Sequence, residues 1–253
     1  MKLLQLILLV IFAFITNAHA KFSPDERVFE LAEDETHGTN NLTRTHDKAE
    51  QLLRDFEQEL APMVEQKGGK LFVILEWESD RINAEAKRNA AQEWEIIVYG
   101  GAARYQAFTQ RELALIMCHE LGHHLGGSPF ASRNGWSSTE GQSDYWSTLK
   151  CFRNIYKKFT SLTVSNEAQT FCQNAQELST DFCLQAAEGS LRVSRFYAHN
   201  QRFAGYPELS QQELTMVSRI HYGYPNPQCR LDTLKAGILE IERPQCWYLK
   251  ENH

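Results

Sequence analysis

The chain has 253 residues, a formal net charge of −6 and a pI near 5.9. That acidic balance excludes the basic face a nucleic-acid partner requires. Six cysteines, an even count with no CxxC among them, point to disulfides in an oxidising compartment and away from a structural zinc site built on thiolates.

Residues 1–20 read as an export signal. Lys2 supplies the charge, residues 3–15 an apolar run, and Ala18-His19-Ala20 an A-x-A cleavage site. The run is shorter than the ~20 apolar residues of a comfortable membrane span, and no second hydrophobic span follows. The expectation is a mature protein that begins at Lys21, is periplasmic or secreted, and keeps no stable membrane span. Residues 21–253 are long enough for one domain with a sizeable core, and no repeat or linker divides them. After a polar, weakly patterned stretch to residue 47, Leu52, Leu53, Phe56, Leu60 and Met63 recur at helical spacing over residues 48–66. Lys67-Gly68-Gly69 ends that helix. Residues 71–77 (LFVILEW) read as a buried strand, residues 80–93 as a loop or short helix, and residues 94–99 (WEIIVY) as a second strand.

Thr109 opens the stretch TQRELALIMCHELGHHLGG. Thr109 with Glu112 forms a capping box, and Gly126-Gly127 supplies a left-handed stop. Within it His119, Glu120 and His123 make HExxH. Histidines at i and i+4 point the same way from a helix, so both imidazoles can grip one metal ion, and Glu120 can reach a water on that ion. Downstream, Glu140 and Asp144 are again i and i+4 on an expected helix. A zinc site is completed by one carboxylate ligand and a second carboxylate that orients a ligand histidine. Cys118 and His124 face about 100° away from their ligand neighbours, so Cys118 reads as a buried thiol or disulfide partner. A metzincin's third histidine would fall at position 129, which is Pro129.

With CHELGHHLGG and EGQSDYW in hand, the chain resembles the gluzincins, zinc peptidases with two histidines and one glutamate as ligands. Among them it is similar to the HtpX and CAAX-prenyl-endopeptidase group, whose second motif is written ExxxD. The resemblance implies Glu140 as third ligand, Asp144 as the group that accepts a ligand histidine's free N–H, and Zn2+ as cofactor. The order of elements, helix, strand, strand and metal helix followed by helical pattern from Glu140 onward, gives an α+β fold with a small β-sheet, an active-site helix and a mostly helical C-terminal half, the layout expected of a zincin. An extended peptide or protein substrate could then add itself to the sheet edge. The chain departs from that group in lacking further hydrophobic spans.

Residues 140–160 continue as a helix with Tyr145, Leu149, Phe152 and Tyr156 on its apolar face, and small Ser143 and Ser147 let it approach the metal helix. Residues 167–195 are helical in pattern. One straight helix there would hold Cys172 and Cys183 ~16 Å apart, beyond the reach of a bridge. Ser210 with Glu213 suggests another capping box, opening a helix to about residue 222, and residues 230–241 form the last periodic segment. A gluzincin needs a donor opposite the metal for the oxyanion. His221 is the candidate, with Tyr222 and Tyr224 behind it, in a stretch that resembles the group's HP…R segment except that the proline is not adjacent to the histidine. The expected activity is zinc-dependent hydrolysis of peptide bonds outside the cytoplasm, with Glu120 as general base. The alternatives are zinc hydrolysis of another bond, or a zinc-binding interaction protein without turnover.

Overall fold

The computed structural model describes residues 44–91, 93–175, 179–200, 202–203 and 205–250, together with the backbone of Ala20–Lys21. The export signal and the polar stretch that follows it lie outside these residues, apart from that dipeptide and residues 44–47. The architecture is α+β, with a small mixed sheet, a central helix carrying His119 and His123, and a mostly helical C-terminal half.

The sheet is built on β4 (Trp94–Tyr99), whose apolar run suits a strand flanked on both sides. On one side β2 (Leu71–Glu76) pairs with it in parallel, from Leu71↔Trp94 to Glu76↔Tyr99. On the other side β3 (Ala84–Arg88) pairs antiparallel, from Ala84↔Val98 to Arg88↔Trp94. The dipeptide β1 (Ala20–Lys21) lies antiparallel along the outer side of β3, Ala20 opposite Ala86. A loop or short helix was expected where β3 runs. Ala, Glu, Lys and Arg favour helix locally, but here pairing with β4 decides the conformation, and Ala84 and Ala86 are buried against the core. The first helix, α1 (His46–Glu65), covers β2. Its Leu53, Phe56, Leu60 and Val64 are buried at i, i+3, i+7 and i+11, each side chain worth about 1.5–3 kcal/mol of apolar burial.

After the short α2 (Gly100–Arg104) comes α3 (Gln110–Leu125), opened by the expected capping box. The Thr109 hydroxyl accepts from the Arg111 N–H, and the Thr109 N–H donates to Glu112 at 2.7 Å. Every residue from Arg111 to His124 is buried, so this helix is the centre of the core rather than a surface element. The following helix, α4 (Glu140–Trp146), passes through a π-helical turn (Ser147–Cys151) into α5 (Phe152–Ile155). Cys151 at the end of that turn is bonded to Cys118 on α3.

Two expectations fail in the C-terminal half. Residues 167–195 are not one helix: α6 (Asn166–Gln173) and α7 (Thr180–Asn200) are separate, and the break lets Cys172 bond Cys183 with Cα atoms 5.7 Å apart. The helix expected over residues 210–222 is absent. The parts of its capping box are used in tertiary contacts instead. Glu213 accepts from Asn226 and from the Thr215 N–H, its own N–H donates to Asp232, and Ser210 bonds Glu208. The last helix, α8 (Pro227–Leu239), has Asn226 as N-cap and proline in its first turn. Beyond it a tail folds back, held by Cys229–Cys246.

Candidate metal centre

The helical geometry of α3 places His119 and His123 together, their rings 4.8 Å apart between centroids. Glu140 reaches them from α4 because the two helices touch at backbone level. A Cβ on Gly122 would lie 2.8 Å from the Ser143 carbonyl oxygen and 2.9 Å from its Cα, so only glycine fits this crossing. The potential ligand atoms of His119, His123 and Glu140 all lie within 4.8 Å of one another, and all three residues are buried. His119 Nε2 is 3.2 Å from Glu140 Oε2, and His123 Nε2 is 3.8 Å from Glu140 Oε1. The three could hold a metal ion.

The far nitrogen of each ring is committed. His119 Nδ1 donates to Asp144 Oδ1 at 2.7 Å, and His123 Nδ1 donates to the Ser138 carbonyl at 2.8 Å, with the Ser143 and Ser137 hydroxyls at 3.0 and 3.2 Å. With N–H at Nδ1, the lone pair of each neutral ring sits at Nε2, aimed at Glu140. Asp144 is gripped from its other side by Arg230, which donates Nε to Oδ2 and Nη2 to Oδ1, both at 2.7 Å. The Arg230 guanidinium in turn lies 3.8 Å from the centre of the buried Tyr197 ring. Sequence reasoning placed Asp144 beside a ligand histidine but gave no role to Arg230, Tyr197 or Ser138. Of these, only Arg230 carried a signal, as the arginine of the stretch from His221 that resembles the HP…R segment.

Burial dominates the electrostatics, and specific neighbours decide its outcome. It opposes ionisation of Asp144, yet Arg230 and His119 hold that carboxyl down at about 2. It would also depress His119, but the Asp144 and Glu140 carboxylates override it and raise the imidazole to about 10. His123 is driven down by burial, to about 4, and so is kept neutral. Glu140 is lowered despite burial, by His123, His119 and Arg230. Glu120 is the exception among the carboxyls: burial pushes it up to about 8. A cation between the Nε2 atoms would displace the second proton of His119 and favour the ionised form of Glu120.

The fit to a metal rests on unpaired atoms. His123 Nε2 and both oxygens of Glu120 are buried without a hydrogen-bond partner, and His119 Nε2 and Glu140 Oε2 have only each other, 3.2 Å apart. Leaving such groups unsatisfied costs about 1–3 kcal/mol each. Several converging on one point are what a cation with an accompanying water would satisfy.

His221 does not join this group. It is exposed, and its Nε2 bonds the Tyr224 carbonyl at 3.1 Å. Tyr224 of the same segment, itself about a third exposed, has its ring 5.8 Å from the Arg230 guanidinium, and its phenol is raised by partial burial and then by the Glu140 carboxylate. His124 is likewise occupied elsewhere: its Nε2 bonds the Glu95 carbonyl, and its ring stacks on Trp94 and Trp136.

No family model matches the chain, and neither the curated proteins nor the solved structures give a match. Fold and site alone therefore define the class: an α+β protein with a buried His-His-Glu group able to hold a metal, consistent with a metal-dependent hydrolase. All six cysteines are paired, which suits an oxidising compartment, and no helix among the described residues is long and apolar enough to cross a membrane.

Proposed function

We propose that the protein is a zinc-dependent peptidase acting outside the cytoplasm. The observation that carries this reading is the convergence of two Nε2 atoms and a carboxylate within 4.8 Å of one another, next in sequence to Glu120, whose two buried oxygens have no partner. Two imidazoles and one carboxylate are a zinc donor set. When bound, zinc supplies Lewis acidity that brings water ionisation to near neutral pH and polarises a carbonyl. Glu120 then takes the proton from the attacking water and hands it to the leaving amine. Asp144, fixed by Arg230, keeps the His119 N–H at Nδ1 and its lone pair at Nε2. Tyr224 takes the role of donor to the developing oxyanion in place of His221; its ring lies 5.8 Å from the Arg230 guanidinium that grips Asp144, and its phenol is raised in part by the Glu140 carboxylate. A peptide substrate is favoured because the outer edge of β3 can take an extended segment in antiparallel register, as it does Ala20–Lys21 before the expected cleavage after Ala20.

The test is cleavage of a peptide library by the purified exported protein, with and without a chelator, followed by Glu120→Gln. Glutamine keeps the size of glutamate but cannot accept the proton. The variant should retain its metal and lose at least ~10²-fold in turnover. Normal turnover by metal-loaded Glu120→Gln would sink the mechanism, and metal binding with no cleavage in the library would leave hydrolysis of another bond or a binding protein.

A further inference from the structure

We propose that Trp247, in the C-terminal tail, is a positioning residue for the metal centre. Its indole fixes the first turn of α4, and through it Glu140. This rests on the reading of Glu140 as a ligand.

Within the chain around it, the first turn of α4 is held only by its N-cap, Thr139, whose hydroxyl accepts from the Gln142 N–H at 3.4 Å, so packing against that turn sets its position. Glu140 opens that helix, and Gly141 beside it carries the contact. A Cβ on Gly141 would lie 2.3 Å from Trp247 Cδ2 and 2.6 Å from Cε2, so the indole is seated directly on the glycine backbone. Trp247 is wholly buried, although its Nε1 has no hydrogen-bond partner. Tryptophan normally finds a partner for that group when buried, so its ring is held here for shape rather than for a polar contact. The next residue of α4 is tied to the same tail. Arg243 Nη1 donates to Gln142 Oε1 at 2.6 Å, and Gln142 Nε2 donates to the Gly126 carbonyl at the end of α3 at 2.8 Å.

The tail also carries the segment that leads to Tyr224. The N–H of Val217 donates to the Gln245 carbonyl at 2.9 Å, and that of His221 to the Trp247 carbonyl at 2.8 Å. Cys246, next to Trp247, is bonded to Cys229, the neighbour of Arg230. The indole therefore braces the Glu140 turn, while the backbone carbonyls of the same tail, at Gln245 and Trp247, hold the segment that leads to Tyr224.

The experiment is zinc affinity of the full, oxidised chain, measured by competition with a chromophoric chelator at a temperature where circular dichroism reports each variant folded. Trp247→Leu removes the flat face and should weaken zinc at least about tenfold, as loss of an outer support of a ligand does. Trp247→Phe keeps a flat face without the unpaired N–H and should restore affinity close to that of the original chain. A ring that served only general core stability would shift melting in both variants without this split in affinity. Gly141→Ala, made alone, should weaken zinc as well, and should do less harm beside Trp247→Leu, where the methyl finds room. It also decides the matter if Trp247→Leu does not fold. Zinc bound by folded Trp247→Leu or Gly141→Ala as tightly as by the original chain would overturn the inference. Failure of the original chain to bind zinc would instead overturn the reading of the site on which it rests.

Discussion

The two helices that make the candidate centre are opposites in how they are held. The sixteen residues of α3 carry their own start signal, are buried from Arg111 to His124, and are tied through Cys118–Cys151 to the turn that follows α4. By contrast, α4 has Thr139 as its N-cap but runs only seven residues before the π-helical turn, and it is positioned by what presses on it: Gly122 of α3 against Ser143, Trp247 on Gly141, and Gly237 of α8, where a Cβ would lie 2.4 Å from the Tyr145 carbonyl oxygen. The histidine pair follows from helical spacing alone. The carboxylate that completes the group depends on backbone contacts between distant segments. A site of this kind is robust on one side and conditional on the other.

That contrast predicts graded effects. The largest falls on the chemistry itself: Tyr224→Phe removes one oxyanion donor and should lower kcat by about 10²–10³, with KM little changed. Steady-state kinetics on a peptide found in the library screen would check it. Glu140→Ala comes next. It removes a proposed ligand rather than its support, so zinc affinity measured by competition should fall beyond the ~10²-fold that an outer partner commands, with α3 intact by circular dichroism. Full zinc occupancy at stoichiometric metal in that variant would move the third ligand to another carboxylate. Smaller again is Gly122→Val, which forces side-chain volume into the α3–α4 crossing and should cost about 1–3 kcal/mol. For a chain of this size each kcal/mol lowers the melting temperature by about 2–4 °C. Zinc affinity should fall along with it, because Glu140 and Asp144 move away with α4.

What the sequence made legible divides along the same line. HExxH, the capping box at Thr109, both long strands and the i, i+4 pair Glu140/Asp144 are local patterns, and local patterns are what periodicity reports. The strand β3 was not legible, because Ala84–Arg88 has helix-favouring residues whose conformation is set by a neighbour in the sheet. Ser210 and Glu213 had capping-box spacing, yet Asn226 and Asp232 bind Glu213 from elsewhere in the chain, and the helix does not form. The break between α6 and α7 and the Cys172–Cys183 bond that spans it were hidden for a related reason, since helical periodicity runs on either side of residues 174–179. Trp247 gave no signal at all: its role lies in a contact made across more than a hundred residues of chain, and nothing near it in sequence points to Gly141.

The smallest effect is expected at His221, and it tests the division most finely because Tyr224 lies only three residues away. Spacing and the resemblance to the HP…R segment favoured the histidine, while the fold turns its ring to solvent and gives it one hydrogen bond, to the Tyr224 carbonyl. A neutral hydrogen bond contributes about 0.5–1.5 kcal/mol, and less where water can replace the lost partner. His221→Ala should therefore lower stability by about 0.5 kcal/mol, since surface substitutions rarely cost more. Its backbone N–H, which donates to the Trp247 carbonyl, survives the change, so the segment stays attached to the tail. Turnover should fall far less than in Tyr224→Phe, and zinc affinity should not move. A loss in His221→Ala as large as that in Tyr224→Phe would mean that the histidine reaches the substrate, and the assignment of the oxyanion donor would revert to it.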